Sequence, residues 1–148
     1  MKEKRQGGFL IAKIHQASGR IFARKLRAHG LEQINPAQGR ILFVLWQKDN
    51  VPIQQLAEKT SLSKSTMTSM LDRLEASGHI QRVSVSKDRR QVLIRLTKKD
   101  RKMKALYSKV SAEMTQIFYK GFDSREIERF ESSLARIMKN LDEAEKQL

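Results

Sequence analysis

Two groups of side chains in this sequence have the types and spacing for chemistry. The first is Ser63, Lys64, Ser65 and Thr66, followed by Thr68, Ser69 and Arg73. Small hydroxyls near the start of a helix let its backbone approach a groove closely, and each can bond a base edge or a phosphate. The second is Lys87, Asp88, Arg89 and Arg90, three cations around one carboxylate. A guanidinium suits a narrow, electronegative minor groove, and Asp88 can hold one of the two, Arg90 foremost, in a fixed orientation. A solvated helix face and a solvated turn use the same residue types. The elements that carry the two groups therefore decide their meaning.

The first group lies on the second of two short helices. Ile53, Leu56 and Ala57 have the i, i+3, i+4 spacing of one helical face. A break follows at Thr60-Ser61-Leu62, and Ser63 is placed to cap a second helix. There Met67, Met70, Leu71 and Leu74 face inward, which leaves Ser65, Thr68, Ser69 and Asp72 on the opposite side. Lys64, Thr66 and Arg73 flank them. Gly78 suits the left-handed conformation past a helix end. Two helices with so brief a joint make a helix-turn-helix.

The second group lies at the tip of a hairpin. After Gly78 the period changes: Val83 and Val85 alternate with Ser84 and Ser86, and Val92, Ile94 and Leu96 alternate with Leu93 and Arg95. No apolar side chain occupies the tip at 86–90, so its cations face solvent or something negative. A helix-turn-helix followed by a cationic hairpin is a winged helix, whose wing can reach a minor groove while the helix sits in the major one.

The order of these pieces, with LDRLEASGHIQR, KDRR and LIRLT, resembles the MarR family of bacterial and archaeal transcription regulators. The family pattern of Asp-x-Arg, five residues and Leu-Thr is met by Asp88, Arg90, Leu96 and Thr97. Two positions depart from it. Ser69 stands where many members carry a larger basic residue, and Asp100 where many have a glycine. The resemblance covers nearly the whole chain. It implies DNA binding, a dimerisation region built from the first and last helices, and repression. It also implies release from DNA by a small aromatic or anionic ligand between those helices and the winged helix. Arg20, Phe22, Arg40, Phe43 and Trp46 are the pocket residues the sequence offers for such a ligand.

The whole-chain charge agrees. The 148 residues hold 30 Lys and Arg against 16 Asp and Glu, a formal net charge of +14, which favours a polyanionic partner. The excess is concentrated on the wing and just past it. Arg82, Lys87, Arg89, Arg90, Arg95, Lys98, Lys99, Arg101, Lys102 and Lys104 face only Asp88 and Asp100. There is no cysteine, which excludes disulfides, thiolate metal sites, thiol catalysis and the peroxide sensing that some members of the resembled family perform. His15, His29 and His79 lie in separate segments without metal-ligand or catalytic spacing, and phosphate-loop and hydrolase motifs are absent. Neither an enzyme nor a cofactor or metal is expected. No apolar run reaches the ~18 residues of a membrane span and no signal peptide is evident, so a cytoplasmic location without membrane contact is expected.

The flanks complete the architecture. A helix is expected from Phe9 to about His29, with Leu10, Ile14, Ala17, Ile21 and Leu26 in one stripe. Asn35-Pro36 caps another over 37–47 that buries Ile41, Leu42 and Leu45. Thr97-Lys98-Lys99-Asp100 reads as a capping box for a helix carrying Met103, Leu106, Tyr107, Val110, Met114, Ile117 and Phe118. Asp123 and Glu126 cap a last one with Ile127, Phe130, Leu134, Ile137, Met138 and Leu141.

The expected fold class is mainly α with a small β-hairpin wing. It is one chain over 1–148, with a DNA-binding part at 36–97 and helical dimerisation parts at 9–30 and 98–147. The terminal stripes offer more apolar surface than so small a winged helix can cover, and a homodimer buries it. A dimer reads a palindrome with two helices one turn of duplex apart. The expected partner is double-stranded DNA, and the expected function sequence-specific transcription regulation. A sequence-neutral architectural nucleic-acid binder is the alternative.

Overall fold

The computed structural model describes residues 4–31, 34–85 and 91–148. Its elements in order are α1 (Gly7–Ala28), α2 (Pro36–Gln47), β1 (Val51–Pro52), α3 (Ile53–Thr60), α4 (Lys64–Ala76), β2 (Ile80–Ser84), β3 (Val92–Leu96), α5 (Asp100–Phe118) and α6 (Ser124–Lys146). The fold is mainly helical with a small antiparallel sheet, as expected. One compact unit ends at Ser111 and a second spans Ala112–Leu148.

Local chemistry sets the helix starts of the first unit. Asn35 accepts a hydrogen bond from the Gln38 backbone while the Gln38 side chain accepts one from Asn35 N–H, and Pro36 holds the first turn. Ser63 likewise accepts from Thr66 N–H and starts α4. Ser61, at φ +56°, turns the chain between α3 and α4. Gly78, at φ +82°, releases it from α4 into β2 in a conformation that L side chains rarely adopt.

The core of this unit is the inward face of the helix-turn-helix closed by the sheet. Ile41, Leu42, Leu45, Leu56, Met67, Leu71, Leu74, Ile80 and Ile94 are all fully buried. Their burial holds α4 against α2 and α3 at about 25 cal/mol per Å² of apolar area. From α5 come Tyr107 and Val110, and from the end of α1 comes Leu26.

Two sequence expectations are corrected here. The hairpin belongs to a three-stranded sheet of order β1-β3-β2, in which Val51 pairs with Ile94 and Pro52 with Leu93. A strand of two residues has no period to read, and Pro52 is tolerated because β1 is an edge. The capping box at Thr97 does not form. The Thr97 hydroxyl donates to the Gly78 carbonyl, while Asp100 is buried and accepts a hydrogen bond from Trp46 Nε1 at 2.5 Å. A buried indole N–H needs a partner, and that demand outcompetes the local cap.

In the second unit, Asp123 and Glu126 cap α6 reciprocally as expected. Phe118, Tyr119, Phe122 and Phe130 stack around the turn at Gly121, mostly edge to face. Along the apolar stripe of α6, Ile127, Phe130 and Leu134 are half-buried, none is fully buried, and Ile137, Met138 and Leu141 are exposed.

Candidate nucleic-acid interface

α4 projects one polar side into solvent. Lys64, Ser65, Thr68, Ser69 and Asp72 line a broad open concavity of about 750 Å³ on its outer face. Met67, Leu71 and Leu74 anchor the opposite side, so the inward stripe fixes which residues look out. Ser63 and Thr66 are committed locally. The Ser63 hydroxyl donates to Thr66 Oγ1 at 2.9 Å and accepts from the Thr66 backbone. Thr68 donates to the Lys64 carbonyl at 3.0 Å, which leaves its oxygen lone pairs to accept. Ser65 and Ser69 are the hydroxyls with most freedom toward a ligand.

Arg73 does not share this surface. It opens onto a different, smaller cleft with Asn35, Gln38, Ser77 and His79. Lys87, Asp88, Arg89 and Arg90 lie outside the described residues, while the strands that carry them pair from Ile80↔Leu96 to Ser84↔Val92.

A residue that the sequence marked only as one cation among many joins the two parts. Arg82, on β2, reaches Asp72 at 2.7 Å and Glu75 at 2.9 Å, and its backbone N–H donates to Glu75 at 3.1 Å. These bonds tie the base of the wing to the outer face of α4. Sequence offered only a weak signal, an arginine seven and ten residues beyond two carboxylates on one helix. At the other edge of the sheet, Arg95 Nε donates to Asn50 at 2.7 Å and Leu96 N–H to Asp49 at 2.9 Å.

The five pocket residues take different positions. Phe22 packs edge-on to Tyr107 at 5.3 Å, and Trp46 meets the same ring at 4.8 Å. Burial pushes the Tyr107 hydroxyl up to about 12, against the opposing effect of Arg40. Arg40 donates to the Thr60 carbonyl at the end of α3, and Phe43 is half exposed on α2. Arg20 and Phe22 line a largely apolar cleft of about 600 Å³ with His15, Ser18, Ala23 and Pro36. Trp46 lines another cleft with Lys98, Arg101 and Lys104. Among the described residues no cluster of His, Asp or Glu could hold a metal ion, and no helix is long and apolar enough to cross a membrane.

Comparison with known proteins places this geometry. The MarR family model matches residues 34–92, from the cap of α2 to the start of β3. The regulator TtmR of Methylorubrum extorquens is 36% identical over 96 residues, which take in 65% of this chain and 48% of TtmR. The chain thus spans about half the length of that relative. A MarR transcriptional regulator of Methanosarcina mazei superposes with a TM-score of 0.80 at 22% identity, covering 97% of this chain and 94% of that one. FabT of Streptococcus pneumoniae, solved in complex with DNA, superposes at 0.76 with 24% identity, over 94% and 97% of the two chains. The family match is thus centred on the helix-turn-helix and the start of the sheet, over residues 34–92, and the fold of these MarR regulators is shared across almost the whole chain.

Proposed function

We propose that this protein is a sequence-specific, double-stranded DNA-binding transcription regulator, a repressor that acts as a homodimer on a palindromic operator. The observation that carries the reading is the outer face of α4. Lys64, Ser65, Thr68 and Ser69 stand together on a helix whose other side is locked in the core. Hydroxyls and a cation on a rigid helix fit the donor and acceptor edges of a major groove. The basic excess in the sequence between Arg82 and Lys104, to which Lys87, Arg89 and Arg90 belong and in which Asp88 is the carboxylate available to orient Arg90, would supply phosphate and minor-groove contacts. Binding over a promoter blocks polymerase sterically and needs no further contact, which favours repression.

The uncovered stripes support the dimer. Phe9, Leu10, Ile14 and Ile21 of α1 and Ile137, Met138 and Leu141 of α6 are large apolar side chains left in water by one chain. Exposed apolar stripes of this kind, one on each helix, mark interaction faces. The apolar cleft at Arg20 and Phe22 would take the small aromatic or anionic ligand that releases DNA.

Footprinting on the duplex upstream of the protein's own gene tests the reading. A discrete palindromic footprint is expected. A diffuse one would favour the architectural alternative, and the absence of any footprint would point to a winged helix serving only protein contacts.

A further inference from the structure

The outer face of α4 is built mostly from short side chains. Lys64, Ser65, Thr68, Ser69 and Asp72 line its concavity. Thr68 is exposed and stands at the centre, one helical turn from Lys64 and Ser65 on one side and from Asp72 on the other. The small serines beside it let the helix come close to a groove floor. Asp72 is drawn aside, its carboxylate held by Arg82 at 2.7 Å. Among the residues of this face only Thr68 carries a methyl group.

The hydroxyl of Thr68 decides what that methyl can do. Oγ1 donates to the Lys64 carbonyl one turn back, at 3.0 Å. A threonine in a helix divides between two rotamers, and such a bond selects one of them. Oγ1 is thereby committed to its own helix, and the Cγ2 methyl is the branch left for a ligand, with little rotamer freedom to lose on binding. The committed proton has a second consequence. The major-groove edge of guanine offers only the acceptors N7 and O6, and a hydroxyl that has given its proton elsewhere cannot bond to either. The one apolar group that bases present in this groove is the C5 methyl of thymine.

We propose that Thr68 is a specificity-determining residue, whose methyl packs against the C5 methyl of one thymine in each half-site and disfavours guanine there. The inference rests on the regulator reading and deepens it: the preferred duplex carries thymine opposite the centre of α4. Ser65 and Ser69, on either side, supply hydrogen bonds to base edges, while Thr68 adds an apolar contact that only thymine can return. Burial of one methyl-sized group corresponds to a preference of about fourfold per half-site.

The test uses the whole chain and the duplex that its footprint defines, at one fixed salt concentration. Each thymine is replaced in turn, in both half-sites together, by deoxyuridine, which keeps every hydrogen-bonding group and lacks only the methyl. At one position the affinity should fall about 15-fold, the product of about fourfold from each half-site. Thr68→Ser keeps Oγ1 and its bond to Lys64 and removes Cγ2. It should lose the same factor on the thymine duplex and be indifferent to deoxyuridine at that position. Thr68→Val keeps the methyl and should keep the preference for thymine. A scan in which no thymine matters would overturn the inference. So would a sensitivity that persists in Thr68→Ser, because it would then come from the deformability of the duplex. Loss of the thymine preference in Thr68→Val would overturn it too, by assigning the discrimination to the hydroxyl. With a discrete footprint in hand, each of these results removes Thr68 and leaves the regulator reading standing. The absence of a discrete footprint would fail that reading and this inference with it.

Discussion

Arg82 on β2 grips Asp72 and Glu75 on α4, with nitrogen–oxygen distances of 2.7 and 2.9 Å. The wing is thereby held against the helix proposed to enter the groove. Each of these pairs is largely solvated, and exposed ion pairs contribute only about 0.2–1 kcal/mol to stability. Their effect should appear in binding geometry. Arg82→Ala is expected to leave the melting temperature nearly unchanged while lowering affinity for operator DNA more than for random duplex. Free Asp72 would then present an unmasked carboxylate to the DNA. Arg82→Lys should recover only part of the affinity, because one ammonium cannot reproduce the planar fork. Anisotropy titrations on both duplexes decide the matter; unchanged operator affinity for Arg82→Ala would remove the clamp from the binding mechanism.

The recognition helix should discriminate. Ser65→Ala and Ser69→Ala should weaken operator binding by about 1–3 kcal/mol wherever the hydroxyl bonds a base edge, with little change on random DNA. Thr66→Ala should act partly through the helix cap it shares with Ser63, and so should also lower the melting temperature. Equal weakening on operator and random sequence for both serine variants would show that α4 does not read bases.

The wing should contribute charge. Arg89→Ala/Arg90→Ala should preserve folding and cut DNA affinity, and the plot of log affinity against log salt should become shallower by roughly 0.9 for each phosphate no longer neutralised. The corresponding lysine pair should restore the salt slope better than the affinity. A salt slope identical to the parent's would exclude phosphate binding by these arginines.

The stripe on α6 should hold the dimer. Leu134→Glu/Ile137→Glu places carboxylates where two apolar faces would meet, and unpaired charges are not tolerated in such an interface. Sedimentation should report monomers, with operator affinity reduced. An intact dimer at the same concentration would relocate the interface.

Gly39 should resist enlargement. A Cβ built there would overlap the Tyr107 hydroxyl and lie 3.1 Å from the ring carbon that bears it. Gly39→Ala should therefore destabilise by about 1–3 kcal/mol, the usual range for overpacking a core, and adding Tyr107→Phe should recover part of it. Chemical denaturation of the single and double variants gives the coupling; purely additive effects would mean that the ring yields at no energetic cost.

Much of the fold was legible in the chain because its signals are local. The stripe Met67, Met70, Leu71 and Leu74 orients α4, Ser63 and Asn35 cap their helices, and Gly78 ends one, each through groups within a few residues. The same stripe predicts that Ser65, Thr68, Ser69 and Asp72 share the outer face, and they do. Tertiary structure decided what depends on pairing across the chain. β1 exists because Val51 meets Ile94, a partnership between distant segments that no period announces. Asp100 abandons its helix cap because Trp46, brought close by the fold, donates its indole N–H to the carboxylate. Arg73, a flank of the recognition face in sequence, opens onto a separate cleft with His79, and Arg82 becomes the link between wing and helix. Hydrogen-bond demand and hydrophobic periodicity act within a turn or two and can be read from the sequence. Which buried donor finds which acceptor is settled only once the core has closed.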